Sequence, residues 1–263
     1  MPKVRLGVAL LLPAPFAQEV DTLRRALGDG SLGRIPAHLT LVPPVNVNVE
    51  RLPDALRVLR AAAQATRPFT VSAGAPATFL PDNPVLYLPV EEGAPEVTTL
   101  RERVFREPLA RTLTWPFVPH VTVADEAAPE RIAAARVALA DYTFTATFER
   151  VYLLEQGKER VWQPIADAAF EKPAVLGRGG LPLELSVTTI LDPEARAMAN
   201  VQDETGEVAI TARRDGQVIG VLVGSTSGTA PVVDHVAVAA DVSDEGVEEH
   251  LVTAFNSLAP DEP

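Results

Sequence analysis

The tightest constraint on this chain is a short pattern that occurs twice. His38-Leu39-Thr40-Leu41 and His120-Val121-Thr122-Val123 each read as a strand in which a His and a Thr alternate with aliphatic residues. Side chains two apart in a strand share a face. Each copy therefore sends its imidazole and hydroxyl one way and its two aliphatic side chains into a core. One copy alone is the ordinary alternation of a half-buried strand. Two copies carry more weight, because the chain has only 4 His among 263 residues.

The copies also sit at equivalent points of a repeated order of elements. Hydrophobic spacing predicts a strand Val4–Leu12, a helix Phe16–Leu27, the short strand His38–Val42 and a helix Leu52–Ala63, with Pro53 allowed in its first turn. After a strand Phe69–Ala73 the order repeats: strand Val85–Val90, helix Val97–Arg106 ending before Pro108, strand His120–Ala124, helix Pro129–Ala140. Strands at Tyr142–Phe148, Val151–Leu154 and Arg160–Ile165 complete this part. The displacement between copies is about the 82 residues that separate the two histidines, which implies an internal duplication and two similar lobes.

Composition narrows the chemistry. There is no cysteine, which removes disulfide scaffolds, thiolate nucleophiles and Cys-ligated zinc together. No apolar run approaches the ~18 residues of a membrane helix. Charge is unevenly distributed: residues 1–172 hold 19 Lys and Arg against 20 Asp and Glu, whereas residues 173–263 hold 4 against 15. The stretch 173–182, with its Gly and Pro residues, reads as a linker between a first domain (1–172) and an acidic second one (183–263). Lys3 and Arg5 ahead of Leu6–Leu12 loosely resemble a secretory signal. Phe16, Val20, Leu23 and Leu27 continue at helical spacing, so the preferred reading is the first strand and helix of a folded cytoplasmic domain.

The paired motifs resemble the two signature motifs of the two-histidine (2H) phosphoesterase superfamily, the 2′-5′ RNA ligase-like proteins. Val4–Leu12 resembles that family's opening strand, Trp115-Pro116-Phe117-Val118-Pro119 its lead-in to the second motif, and Val151–Ile165 its closing hairpin. The resemblance covers almost all of residues 1–172. It implies a bilobed, duplicated α+β fold with a central cleft between two sheets, one motif facing in from each lobe. It also implies a metal-independent phosphodiesterase acting on a small cyclic phosphate, a 2′,3′-cyclic nucleotide or an RNA end, with no cofactor.

The residue types suit that chemistry on their own terms. Imidazole has an unperturbed pKa of ~6.5, so both protonation states are accessible near neutrality. Opening a cyclic phosphodiester needs a base for water and an acid for the leaving oxygen, the roles expected of His38 and His120. Thr40 and Thr122 can donate to the non-bridging oxygens. No ligand cluster surrounds either histidine, so no metal site is expected. Trp115 or Phe117 could stack a base. Where related RNA-end enzymes often carry a basic residue after the second motif, this chain has Ala124, Asp125 and Glu126, which would repel a phosphate chain if they face the cleft and make a small cyclic phosphate or nucleotide end at least as good an expectation as long RNA. A binding module that holds a nucleotide phosphate without turnover is the competing class.

In the second domain, strands at Leu183–Leu191, Glu207–Arg213, Gln217–Ser225 and Val232–Ala239 precede a helix Gly246–Leu258. This order resembles part of a GNAT acetyltransferase. The turn that would receive the coenzyme A pyrophosphate, Asp241–Glu249, has one glycine, no base and five acids. A degenerate, non-catalytic module for protein contact is expected, with acetyltransferase activity as the alternative and His235 and His250 as structural or surface residues.

Overall fold

Lys3–Leu11 forms the first strand, β1, and its middle is apolar without alternation because both faces are covered: Leu6, Val8, Ala9 and Leu10 are each at most 1% exposed. The computed structural model describes residues 1–170, 174–176, 183–201, 208–226 and 231–258. It divides into two units, Met1–Pro164 and Ile165–Pro263.

In the first unit β1 is followed by α1 (Phe16–Leu27), β2 (His38–Asn48), α2 (Leu52–Gln64), β3 (Phe69–Gly74), β4 (Ala77–Thr78) and β5 (Leu86–Glu92). Then come α3 (Ala94–Val104), β6 (His120–Ala124), α4 (Pro129–Ala138), β7 (Thr143–Phe148), β8 (Arg150–Gln156) and the start of β9 (Trp162–Ala169). The sheet order is β7-β3-β5-β6-β2-β1-β8-β9, with β4 paired to β5. The duplication is visible in this order. Each motif strand is flanked by the strand that precedes it, β1 beside β2 and β5 beside β6, with α1 and α3 as the matching connections.

The expected cleft between two separate sheets is corrected. The halves join in one sheet, because β2 and β6 are antiparallel neighbours with Leu39 opposite Val121. Pairing at this seam satisfies backbone groups that two open edges would leave bare. Leu39, Leu41, Val121 and Val123, each at most 1% exposed, pack the core beneath it.

Strand β2 also runs further than its apolar pattern suggests, through Pro43-Pro44 to Asn48. The prolines survive because the register with β1 shifts here: Val45 pairs with Leu6 and Val42 with Val8, an irregularity where ladder donors are not needed. Helix α1 ends at Gly28, whose φ of +70° closes the helix while Asp29 N–H bonds back to Arg24 O.

The second unit contains an antiparallel sheet of β10 (Ala174–Leu176), β11 (Leu183–Thr188), β12 (Val208–Arg214), β13 (Gln217–Ser225) and β14 (Val232–Val238), in that order. Helix α5 (Pro193–Ala199) lies between β11 and β12 in sequence, and α6 (Val247–Asn256) follows β14. Leu185, Ile210, Leu222, Val247, Leu251 and Phe255 form its main core cluster. The expected strand to Leu191 stops at Thr188, and α5 occupies part of a stretch with no expected element. Asp192 caps that helix, its carboxylate accepting from the Glu194 and Ala195 amides, with Pro193 in the first turn. Within the expected linker 173–182, Ala174–Leu176 is β10, and the remainder lies outside the described residues. His235 and His250 are exposed. No helix among the described residues is long and apolar enough to cross a membrane.

Candidate active site

The seam between β2 and β6 determines the site. With Leu39 opposite Val121, antiparallel pairing sets His38 opposite Thr122 and Thr40 opposite His120. Residues opposite one another share a face, so the four polar side chains form a square on the side away from Leu39 and Val121. The histidines occupy one diagonal. Diagonal neighbours across antiparallel strands stand about 7–8 Å apart, which leaves room for a tetrahedral group between the rings.

Both imidazoles are fixed the same way. Nδ1 of His38 lies 2.7 Å from Pro36 O, and Nδ1 of His120 lies 2.6 Å from Val118 O, in each case the carbonyl two residues back. A carbonyl can only accept, so each Nδ1 carries the proton in the neutral ring and Nε2 is left as the working atom. Nε2 of His38 is 3.0 Å from the Thr40 hydroxyl. His120 also touches two aromatic rings, Phe79 at 5.3 Å and Tyr87 at 5.1 Å, both edge-on.

The surroundings separate the two rings electrically. Burial pushes His38 down to about 4, and the Arg24 guanidinium and His120 act in the same direction against the Pro36 carbonyl. Burial also lowers His120, opposed by the Val118 carbonyl.

Beneath His38 lies a buried ionic network that the sequence reading did not identify. Arg24 Nε donates to Asp29 at 2.9 Å, and its terminal nitrogens donate to Asp21, Ser31 and Ile35 O. Asp29 accepts from Ser31 at 2.6 Å and from the Asp125 amide at 3.2 Å, so one carboxylate ties the loop before β2 to the loop after β6. Burial opposes ionisation of Asp29, but the hydrogen bonds from Ser31, Arg24 and the amides outweigh it and hold the carboxyl below its ordinary value. A signal existed in the sequence: Arg24 stands four residues after the fully buried Val20 on α1, where the apolar stripe calls for another hydrophobe.

Two cavities adjoin the square. On the His38 side, about 340 Å³ is lined by polar residues including Arg34, Gln156, Arg160, Asp125 and Glu126. Asp125 and Glu126 thus do face a cavity, and burial, then Glu126, raises the Asp125 carboxyl. On the His120 side, about 350 Å³ is mainly apolar, with Leu41, Phe79, Leu113 and Pro116 in its wall. Trp115 and Phe117, expected to contact substrate, both line this second cavity. Trp115 is 66% exposed, whereas one contact of Phe117 is already the Arg101 guanidinium, 4.5 Å from the ring centre. Among the described residues no group of three His, Asp or Glu side chains is placed to hold a metal ion.

The family model of the 2′-5′ RNA ligase superfamily matches residues 12–160. A Bacillus cytotoxicus protein named "Putative phosphoesterase" is 30% identical over 161 residues, which span 60% of this chain and 92% of that protein. A Bacillus mycoides protein with the same description is 29% identical over the same shares. Among solved structures, E. coli LigT complexed with NADP+ is 20% identical, covers 64% of this chain and 98% of its own, and superposes with a TM-score of 0.49. TT0787 of Thermus thermophilus is 22% identical, covers 63% and 97%, and gives 0.46. On the match across most of the first unit, this chain belongs to the 2′-5′ RNA ligase superfamily.

Proposed function

We propose that the first unit is a metal-independent phosphodiesterase that opens a small cyclic phosphate, a 2′,3′-cyclic nucleotide or a cyclic RNA end, with His38 as base and His120 as acid. The observation that supports this reading best is the polar square, in which both rings are pinned at Nδ1, leaving Nε2 as the atom for proton transfer, that of His38 beside the Thr40 hydroxyl. The phosphate sits over the square. His38 Nε2 takes a proton from water as its oxygen attacks phosphorus. The bond to one ribose oxygen breaks, and His120 Nε2–H supplies that oxygen's proton. Water adds across one P–O bond, a phosphomonoester leaves, and the two histidines end with their protons exchanged. The Thr122 hydroxyl donates to a non-bridging oxygen as charge builds, and the Thr40 hydroxyl can turn to one once His38 Nε2 has taken its proton and no longer accepts from it.

The assignment of roles follows from the surroundings. His38, near the Arg24 guanidinium and pushed down to about 4, is neutral at pH 7, so its Nε2 carries no proton and can accept one. His120 lies away from that cation against the rings of Tyr87 and Phe79, where an anionic phosphate raises its proton affinity on binding. Trp115 supplies a surface for the base in this reading.

Turnover of the four 2′,3′-cyclic nucleotides and of a short RNA with a cyclic end tests this. His38→Ala and His120→Ala should each lose at least ~10²-fold, and the double variant little more than the worse single. EDTA should leave the rate unchanged. Near-normal activity in either single variant removes that histidine from the mechanism. A loss in EDTA that added metal restores removes the metal-free step.

For the second unit we propose protein contact rather than acetyl transfer. Glu248 and Glu249 lie in the first turn of α6, and Glu245 just before it is held by Arg214, a field that opposes a polyphosphate. Saturable acetyl-CoA binding near micromolar concentration in calorimetry would overturn this.

A further inference from the structure

One cation beside the site makes no ion pair among the described residues, and the nearest opposing charge acting on it is Glu102, its neighbour on α3. Arg101 projects from α3 into the wall of the cavity on the His120 side, where it lies between two aromatic rings, Phe105 at 4.3 Å and Phe117 at 4.5 Å from the guanidinium carbon. Its Nε is buried and makes no hydrogen bond, and no carboxylate among the described residues forms an ion pair with it. Asp82, which lines the same cavity, is not within ion-pairing distance. A guanidinium cannot shed its proton, and it has five donors in a planar fork that suits phosphate. Ring stacking offsets only part of the cost of removing such a charge from water. Burial lowers the Arg101 pKa, and the Glu102 carboxylate only partly opposes it. A cation this poorly compensated, facing a cavity next to an acid–base pair, is what a bound anion would complete.

The square already offers one phosphate two hydroxyls and two imidazoles, and Arg101 belongs to neither motif strand. In the His38 cavity Arg24, Arg34 and Arg160 stand beside Asp125 and Glu126, whereas in the apolar cavity Arg101 is the one cation among the lining residues. We propose that Arg101 receives a second phosphate, so that the ligand class is a nucleotide carrying one phosphate over the square and another in the apolar cavity. This rests on the reading of the square as a phosphate site.

The test uses binding, so it stands apart from turnover. The chain has two Trp, and Trp115 and Trp162 line the two cavities, so intrinsic fluorescence reports occupancy. Adenosine 3′-monophosphate and adenosine 3′,5′-bisphosphate are titrated into the full chain, wild type, Arg101→Met and Arg101→Lys. Methionine keeps an apolar body between the rings without the charge, and circular dichroism checks that each variant is folded. We expect the bisphosphate to bind wild type at least about tenfold more tightly than the monophosphate. In Arg101→Met that gap should fall to about twofold or less with monophosphate affinity unchanged, and Arg101→Lys should retain part of it. Equal affinities in wild type, or a gap that persists in Arg101→Met, overturn the second-phosphate role. An equal loss for both ligands places Arg101 on the same phosphate as the square and also overturns it. Monophosphate affinity that survives His38→Ala and His120→Ala together overturns the underlying phosphate site instead, as does a wild type that binds neither ligand.

Discussion

His38 should make the protein acid-labile in a window where carboxylates are still ionised. The unfolded chain takes up a proton on this residue near 6.5, and the folded chain only near 4. Between those values the unfolded state holds more protons, so stability rises with pH there and falls on acidification. The contribution is fully present above 6.5, declines through the window, and has nothing further to lose below 4. A change of one pH unit in pKa is worth about 1.36 kcal/mol, so integrating from pH 7 to pH 5 gives about 2 kcal/mol. His38 is half-buried and lines an open cavity, so water screens part of this, and the expected difference is about 1–2 kcal/mol. Denaturant unfolding at pH 7 and pH 5 on wild type and His38→Gln measures it. Wild type should lose that much more than the variant. With 4 His in the chain, ring-proton NMR can follow each one, and His38 should remain neutral at pH 5. Equal pH dependence of the two proteins, or a His38 titration near its ordinary value, refutes the electrostatic account of the base.

Two further changes test the scaffold. Asp29→Asn leaves the buried Arg24 charge short of its main partner, and calorimetric or denaturant unfolding should show a loss of about 3–5 kcal/mol; a loss below about 1 kcal/mol would mean the network does not support the first unit. Gly93→Ala puts a Cβ 2.4 Å from Thr70 O at a φ of +81°, so about 2–4 kcal/mol should be lost at the start of the helix that carries Arg101, and an unchanged melting temperature would contradict that close approach.

Much of the first unit was readable because its signals are local. The helices α1 to α4 follow from 3.6-residue spacing, and the motif strands from alternation over four residues. Missed features depend on contacts that neither the helical nor the strand period contains. That β2 and β6 touch is a pairing across 82 residues, and no window of either strand contains it. Passage of β2 through Pro43-Pro44 depends on a register shift against β1. Arg101 looks like a solvated helix charge until the rings of Phe105 and Phe117 are placed around it, whereas the position of Arg24 on the apolar stripe hinted at burial without revealing Asp29 as its partner. Helix α5 is a different kind of miss, since the Asp192-Pro193-Glu194 start signal was present and local.

The seam between β2 and β6 has one more consequence. Because a strand alternates with a period of two, a slip of one residue at Leu39–Val121 would turn Leu39 and Leu41 outward and drive His38 and Thr40 into the core. Site and core are therefore the two sides of a single alignment. A variant that binds phosphate across both histidines reports, by that fact, that its sheet has closed in the native register. If the proposed phosphate site holds, ligand binding serves as a folding gauge for this unit, sensitive to a misalignment of about 3.3 Å that circular dichroism would pass as native.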